Sequence, residues 1–322
     1  MPRIVADEIA PPGSGKKSKA AATGARSRAA RFFLGRLYFW ARHAPWMLKL
    51  VKPLVVWVTV RCSGAIRNGT RANARRILGP GVTREQCAEF TAKVTANFYD
   101  FVVEVGHCGA MTAQQLARQV ESVHGHEEYL AARRAGGGAI MLTAHMGSFE
   151  VGIAALRAYE QNIHVVFKRD EMDRFETIRR TLRDTLGVHE APVDAGWDTW
   201  VGLRDALESN HVVVMQGDRA MPGQKAQSVP ILGGHLALPL GPIVLAQISG
   251  SPIVPVFVVR TASGGSLLFV ESAIRVDPDA RLIDGVHPQL LAWGKVLEKF
   301  IAKYPEQWLF LDPAFVEDNS PT

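Results

Sequence analysis

A chain of 322 residues, 47% of them apolar, is long enough to bury a full core, and it fits one large α/β domain with an appended helical segment. Its three cysteines, Cys62, Cys87 and Cys108, are odd in number and lack C-x-x-C spacing, which excludes a disulfide framework and a zinc knuckle; they read as reduced, buried small hydrophobes. The net charge of +6 is unevenly spread: no Asp or Glu occurs between Ile9 and Arg84, where sixteen Lys and Arg stand, so residues 85–322 carry −9. A basic first quarter before a mildly acidic remainder points to a polyanionic partner, either a membrane leaflet or a nucleic acid.

Residues 1–30 are rich in Gly, Ser, Ala and Lys and are expected to form a disordered basic tail. The run PPGSGKKS within it is not a phosphate-binding loop, because Ala10 replaces the first glycine, Lys17 stands at the Ser/Thr position and no strand precedes it. Residues 31–65 interleave Phe, Trp and Leu with Arg31, Arg36, Arg42, Lys49 and Lys52. The longest charge-free run, Pro53 to Val60, is far short of the ~20 residues that a spanning helix needs. One or two helices lying in a membrane interface are expected, cations at the phosphates and aromatics below; the alternative is a helical cap on the core. The membrane reading is favoured because the charges flank the apolar residues without pairing with acids, and no nucleic-acid partner is expected.

From residue 66 to 322 the chain reads as one α/β domain. Pro80-Gly81 marks a turn, and Thr83 with Gln86 forms a capping box for a helix whose Phe90, Val94, Phe98, Phe101, Val102 and Val105 face the core. His124 and His126 lack a third ligand at metal spacing. Strand-like Ala139–Thr143, Ile163–Phe167, His211–Met215 and Ile253–Val259 alternate with helix-like Phe149–Tyr159, Phe175–Leu186, Trp197–Leu207, Pro242–Ile248 and His287–Tyr304. That rhythm predicts a mostly parallel sheet covered by helices on both faces. Gly and Pro crowd Gly233–Gly241, which reads as turns and a close backbone approach.

The chemistry concentrates at the carboxyl ends of the strands, where open α/β sheets bind ligands. His145 leaves the first strand, Gly147-Ser148 follows, Ser148 is an N-cap, and Glu150 falls in the first turn of the next helix. A carboxylate five positions on can reach one ring nitrogen of His145 and leave the other to take a proton from a hydroxyl. Lys168 and Arg169 end the next strand, and Asp218 and Arg219 follow another. Arg169 offers a planar fork for an anion; Asp218 would either orient that arginine or hold a substrate hydroxyl. Glu306-Gln307-Trp308 would buttress the site by packing and hydrogen bonds.

The stretch HMGSFE resembles the H-x4-D/E block of the lysophospholipid acyltransferase superfamily, in the glutamate form of the lipid A biosynthesis lauroyl/myristoyl acyltransferases. TRANARRIL, VVFKRDEMD, MQGDRAM, the run VPILGGHLALPLGP and its continuation to VVR, and PEQWLF resemble further blocks of that family in the same order, over roughly residues 71–310. The amino-terminal segment departs from the more convincing membrane helix of many members. The resemblance implies an acyltransferase on the cytoplasmic face of the inner membrane, with acyl carrier protein or acyl-coenzyme A as donor and a lipid or glycolipid as acceptor. His145 would be the base, Glu150 would orient and charge-compensate it, and the Gly147-Ser148 backbone or Arg169 would stabilise the oxyanion. Since a thioester is already activated, no cofactor and no metal are expected. Two rival readings are a lipid ester hydrolase, disfavoured because no G-x-S-x-G occurs, and a non-catalytic membrane or nucleic-acid binding protein.

Overall fold

The computed structural model describes residues 36–316 except 42, 135, 170–172 and 278, and the side chains of 173–175 are likewise outside the description. The basic tail of residues 1–30, the first residues of the 31–65 segment, and Asp170 and Glu171 of the VVFKRDEMD block therefore lie outside the described residues.

Three helices lead the chain: α1 (Pro45–Cys62), α2 (Gly64–Ile77) and α3 (Arg84–Cys108). Ser63 caps α2 through its hydroxyl on the Ile66 amide, and the Thr83–Gln86 capping box closes on α3 in both directions. Lys52 of α1 pairs with Asp100 of α3 at 2.6 Å, and the Tyr99 hydroxyl donates to the Leu48 carbonyl. Phe90, Val94 and Val105 are buried as expected, whereas Phe98 is 36% exposed, because the α3 face it occupies is only partly covered. Cys87 and Cys108 are buried, but Cys62, the last residue of α1, is exposed. No described helix is long and apolar enough to cross a membrane.

Behind these helices stands a seven-stranded sheet. Its strands are β1 (Val120–His124), β2 (Ala139–Thr143), β3 (Ile163–Phe167), β4 (His189–Pro192), β5 (Val212–Gln216), β8 (Ile253–Arg260) and β9 (Ser266–Val270), in the order β1-β9-β8-β2-β5-β3-β4. All neighbours are parallel except β8 and β9. The two innermost strands are buried at every or nearly every position, as AIMLT and VVVMQ dictate: a parallel strand covered on both faces has no polar side. One face carries α6 (Phe149–Leu156) and α7 (Asp173–Leu186); the other carries α8 (Trp197–Glu208), α9 (Gly241–Ser249) and α10 (Pro288–Lys303), with Trp293 and Phe300 of α10 stacked on Phe257. Short helices α4 (Ala113–Ala117) and α5 (His126–Arg133) flank β1. The fold is α/β with a mostly parallel central sheet.

Residues 226–239 correct one expectation. They are not only turns: β6 (Ala226–Ile231) and β7 (Gly234–Pro239) form an antiparallel hairpin extended by β10 (Phe315–Val316). Leu232 and Gly233 both take positive φ, 52° and 66°, the two-residue turn whose twist suits a hairpin. Val229, Ile231, Leu236 and Leu238 bury one side of it against α10.

Candidate active site

The strand register builds the site. Thr143, the last residue of β2, is paired with Gln216, the last residue of β5, and the Gly217 amide donates to the Thr143 carbonyl at 2.9 Å. Two residues beyond that pair, the chains have not yet diverged, and His145 meets Asp218. His145 Nδ1 lies 2.6 Å from Asp218 Oδ1. The Trp308 indole N–H donates to the other carboxylate oxygen at 2.9 Å, and Arg219 Nη2 stands 3.5 Å from it. Asp218 has no solvent-exposed side-chain surface, while the His145 side chain is 35% exposed. Burial alone would raise the Asp218 pKa, but the His145 and Arg219 charges and the hydrogen bonds from His145 and Trp308 outweigh it and hold the carboxyl well below the usual range. An ionised carboxylate only accepts, so Nδ1 carries a proton, and in the neutral imidazole Nε2 is then the acceptor.

This assigns Asp218 a place that the sequence spacing had offered to Glu150. Of the described contacts, those of Asp218 go to His145, Trp308 and Arg219, and Arg169 meets Asp194. Glu150, in the first turn of α6, is buried near Cys108, Glu104, Arg179 and Arg260. Desolvation raises its pKa; the Arg179 charge, its own backbone amide and Arg260 oppose that, and Glu104 adds to it. Arg260, at the carboxyl end of β8, is engaged by Glu104 of α3, so α3 crosses the same sheet edge.

The loop between His145 and α6 is shaped by close packing. Gly147 has φ +60°, and a Cβ there would stand 2.1 Å from the Val258 carbonyl oxygen. No other residue fits without moving β8. Ser148 is buried and caps α6 by accepting from the Val151 amide. Among the described residues the amides of Gly147 and Ser148 donate to no backbone carbonyl, and they stand at the positive end of α6.

Lys168 and Arg169 follow β3 at the same edge and are exposed. Arg169 Nη1 contacts Asp194 at 3.3 Å with half of its side chain in solvent, so its charge is not carried into the His145–Asp218 contact. Arg219 stands beside the carboxylate that holds the histidine: Nη2 donates to the Leu309 carbonyl at 2.8 Å, the guanidinium lies 4.1 Å over the Phe310 ring, and Nε is buried with no partner among the described residues.

The carboxyl-terminal segment closes the site. The Leu309 amide donates to the His145 carbonyl, Met146 bridges Trp308, and Gln307 brackets the backbone of Arg260 with two 2.8 Å bonds. The Trp293 indole donates to Gly217. Two buried tryptophans thus hold the Gly217–Asp218 corner, in keeping with the buttressing expected of Trp308. Asn73 of α2 adds a residue that pattern reading missed: its amide nitrogen donates to Phe310 and Asp312, and its oxygen accepts from Ala314. The only signal for it was an asparagine on the buried face of TRANARRIL.

Beside this loop lies a narrow apolar cavity of about 90 Å³ between the sheet and α6. Thr143, Phe149, Gly152 and Val258 line it on the site's side, and Tyr129 and Tyr159 line it where α6 has ended.

Comparison with curated proteins gave no match. The family model for bacterial lipid A biosynthesis acyltransferases matches residues 39–316, which include every residue of the site just described. The chain belongs to the bacterial lipid A biosynthesis acyltransferase family.

Proposed function

We propose that this protein moves a fatty acyl group from a thioester, on acyl carrier protein or coenzyme A, to a hydroxyl or amine of a lipid or glycolipid acceptor. The observation that carries this reading is a solvent-open histidine whose Nδ1 is fixed by a buried, ionised carboxylate. His145 Nε2 takes the acceptor's proton as its oxygen or nitrogen attacks the thioester carbonyl. The imidazolium that forms is compensated by Asp218 at 2.6 Å. Charge developing on the carbonyl oxygen meets the free amides of Gly147 and Ser148. Collapse expels the thiolate, which recovers the proton from the imidazolium. Glu150 acts in this scheme as a buried group under the loop, and its share in orienting His145 is secondary to that of Asp218.

The apolar cavity beside Thr143 and Phe149 suits methylenes of the acyl chain. Lys168, Arg169 and Arg219 suit the phosphates or acidic surface of the donor. The exposed apolar residues of α1 support a peripheral seat on the cytoplasmic leaflet, where such acceptors are presented. The test is incubation of the purified full chain with labelled acyl-carrier-protein and acyl-coenzyme A thioesters, with and without lipid extract. The reading expects label in a lipid product only when lipid is supplied. Thiol release at the same rate without lipid, and free fatty acid as the product, would identify a hydrolase instead.

A further inference from the structure

Helices α1, α2 and α3 enclose an open groove of about 530 Å³ that shares no lining residue with the His145 site. Val56, Trp57 and Val60 of α1 form its apolar wall; Arg61, Arg67 and Arg71 form its charged one. Arg67 and Arg71 are four apart and so lie on one face of α2. Arg67 is fixed in place, since its Nη1 donates to the Val60 and Arg61 carbonyls at 2.7 and 2.6 Å across the end of α1. Among the described residues no carboxylate lies within 4 Å of any of the three, and the sequence supplies none between Ile9 and Arg84. Glu89, on the α3 side, is taken by Lys93.

The groove continues a surface feature. Trp46, Leu50, Leu54 and Trp57 follow one another at helical spacing along the outside of α1, and they are 64%, 74%, 63% and 64% exposed. Arg61 is next in that row. An apolar stripe of this size on a protein surface marks a binding face, and this one ends beside three guanidinium groups that meet no carboxylate among the described residues, so it is amphipathic along its length. Planar forks suit phosphate oxygens, and aromatic and aliphatic side chains at that level suit the acyl region beside it.

We propose that this groove binds the phosphate headgroup of an anionic phospholipid whose hydrocarbon lies along the Trp46–Trp57 stripe, giving the protein a discrete lipid site apart from its acyl-transfer centre. A discrete site differs from diffuse attraction in depending on two particular forks. The experiment is flotation of the full chain with vesicles of phosphatidylcholine alone and of phosphatidylcholine doped with phosphatidylglycerol. Three variants are compared with wild type: Arg61→Gln/Arg71→Gln, the charge-keeping Arg61→Lys/Arg71→Lys, and a control, Arg75→Gln/Arg84→Gln, that removes two exposed cations outside the groove. Each variant is checked for unchanged thermal unfolding.

A groove site predicts that the glutamine pair lowers binding to the doped vesicles about tenfold more than the control does. It also predicts that the lysine pair loses a substantial part of that binding although charge is kept. Equal losses in groove and control variants, with the lysine pair at wild-type binding, would show diffuse charge attraction and overturn the proposal. Inorganic phosphate, at the same phosphate concentration, should neither release the protein from vesicles nor raise its melting temperature. If it does both as well as the lipid, the groove is a free-phosphate site and the lipid assignment fails.

Discussion

Asp218 is an ionised carboxylate with no exposed side-chain surface, and such a group persists only because each oxygen is answered by a donor. Glu150 is also buried, and there desolvation outweighs the Arg179 and Arg260 charges and its own backbone amide, so its proton affinity is pushed up. The two acids differ in surroundings more than in sequence prominence. A glutamate five positions after a histidine is visible in a string of letters; an aspartate 73 positions away is not, until the pairing of Thr143 with Gln216 sets the two loops side by side. That His145, Gly147, Ser148 and Asp218 lie at one edge was legible from their places after strand ends. The partnership of His145 with Asp218 was not, because it is a consequence of register. For Glu150 the sign of the linkage is testable. A carboxyl whose folded pKa is raised contributes no penalty below its unfolded value near 4.5 and a growing one as pH rises toward its folded value. Glu150→Gln should therefore melt at a higher temperature than wild type at neutral pH, and the gain should vanish at pH 4. A melting difference that is constant across that range would mean that burial does not raise the proton affinity of Glu150.

At the level of elements, strands and helices with one strong period were readable, and boundaries mostly fell within a few residues of those expected. The hairpin of β6 and β7 was hidden by its glycines and prolines, although its buried residues alternate, and β1, β4 and β9 are short edge or near-edge strands with mixed burial. The link between α2 and the final segment was invisible for another reason: it joins residues some 240 positions apart through one asparagine. Removing the three bonds of the buried Asn73 leaves the half-buried Phe310 carbonyl and Ala314 amide to find other partners and frees the exposed Asp312 carbonyl to water, so Asn73→Ala should destabilise the protein by ~1–3 kcal/mol in urea unfolding. The loosened segment carries Trp308, so the acyl-transfer rate per folded molecule should fall as well. Loss of stability with an unchanged rate would mean that Trp308 holds Asp218 without help from α2.

Across the whole molecule, a parallel sheet gathers its strand ends at one edge, α3 and the carboxyl-terminal segment close that edge, and α1 presents an apolar stripe beside an arginine-lined groove. The arrangement suits the proposed transfer from a water-soluble thioester to a membrane-borne acceptor. Its central claim is that His145 and Asp218 act as one unit. General-base catalysis contributes about 10²–10⁴ in rate, so His145→Ala should lose that much. Asp218→Asn keeps the shape but presents a neutral amide to Nδ1, and a wrong tautomer in a comparable triad costs about 10⁴. Glu150→Gln should retain more activity than Asp218→Asn. Single-turnover transfer from a labelled acyl thioester, normalised to folded protein, measures all of these with the His145→Ala/Asp218→Asn double variant. Groups that act through one another are not additive, so the double variant should be scarcely slower than His145→Ala alone. Near-wild-type turnover in His145→Ala, or losses that multiply in the double variant, would contradict the account.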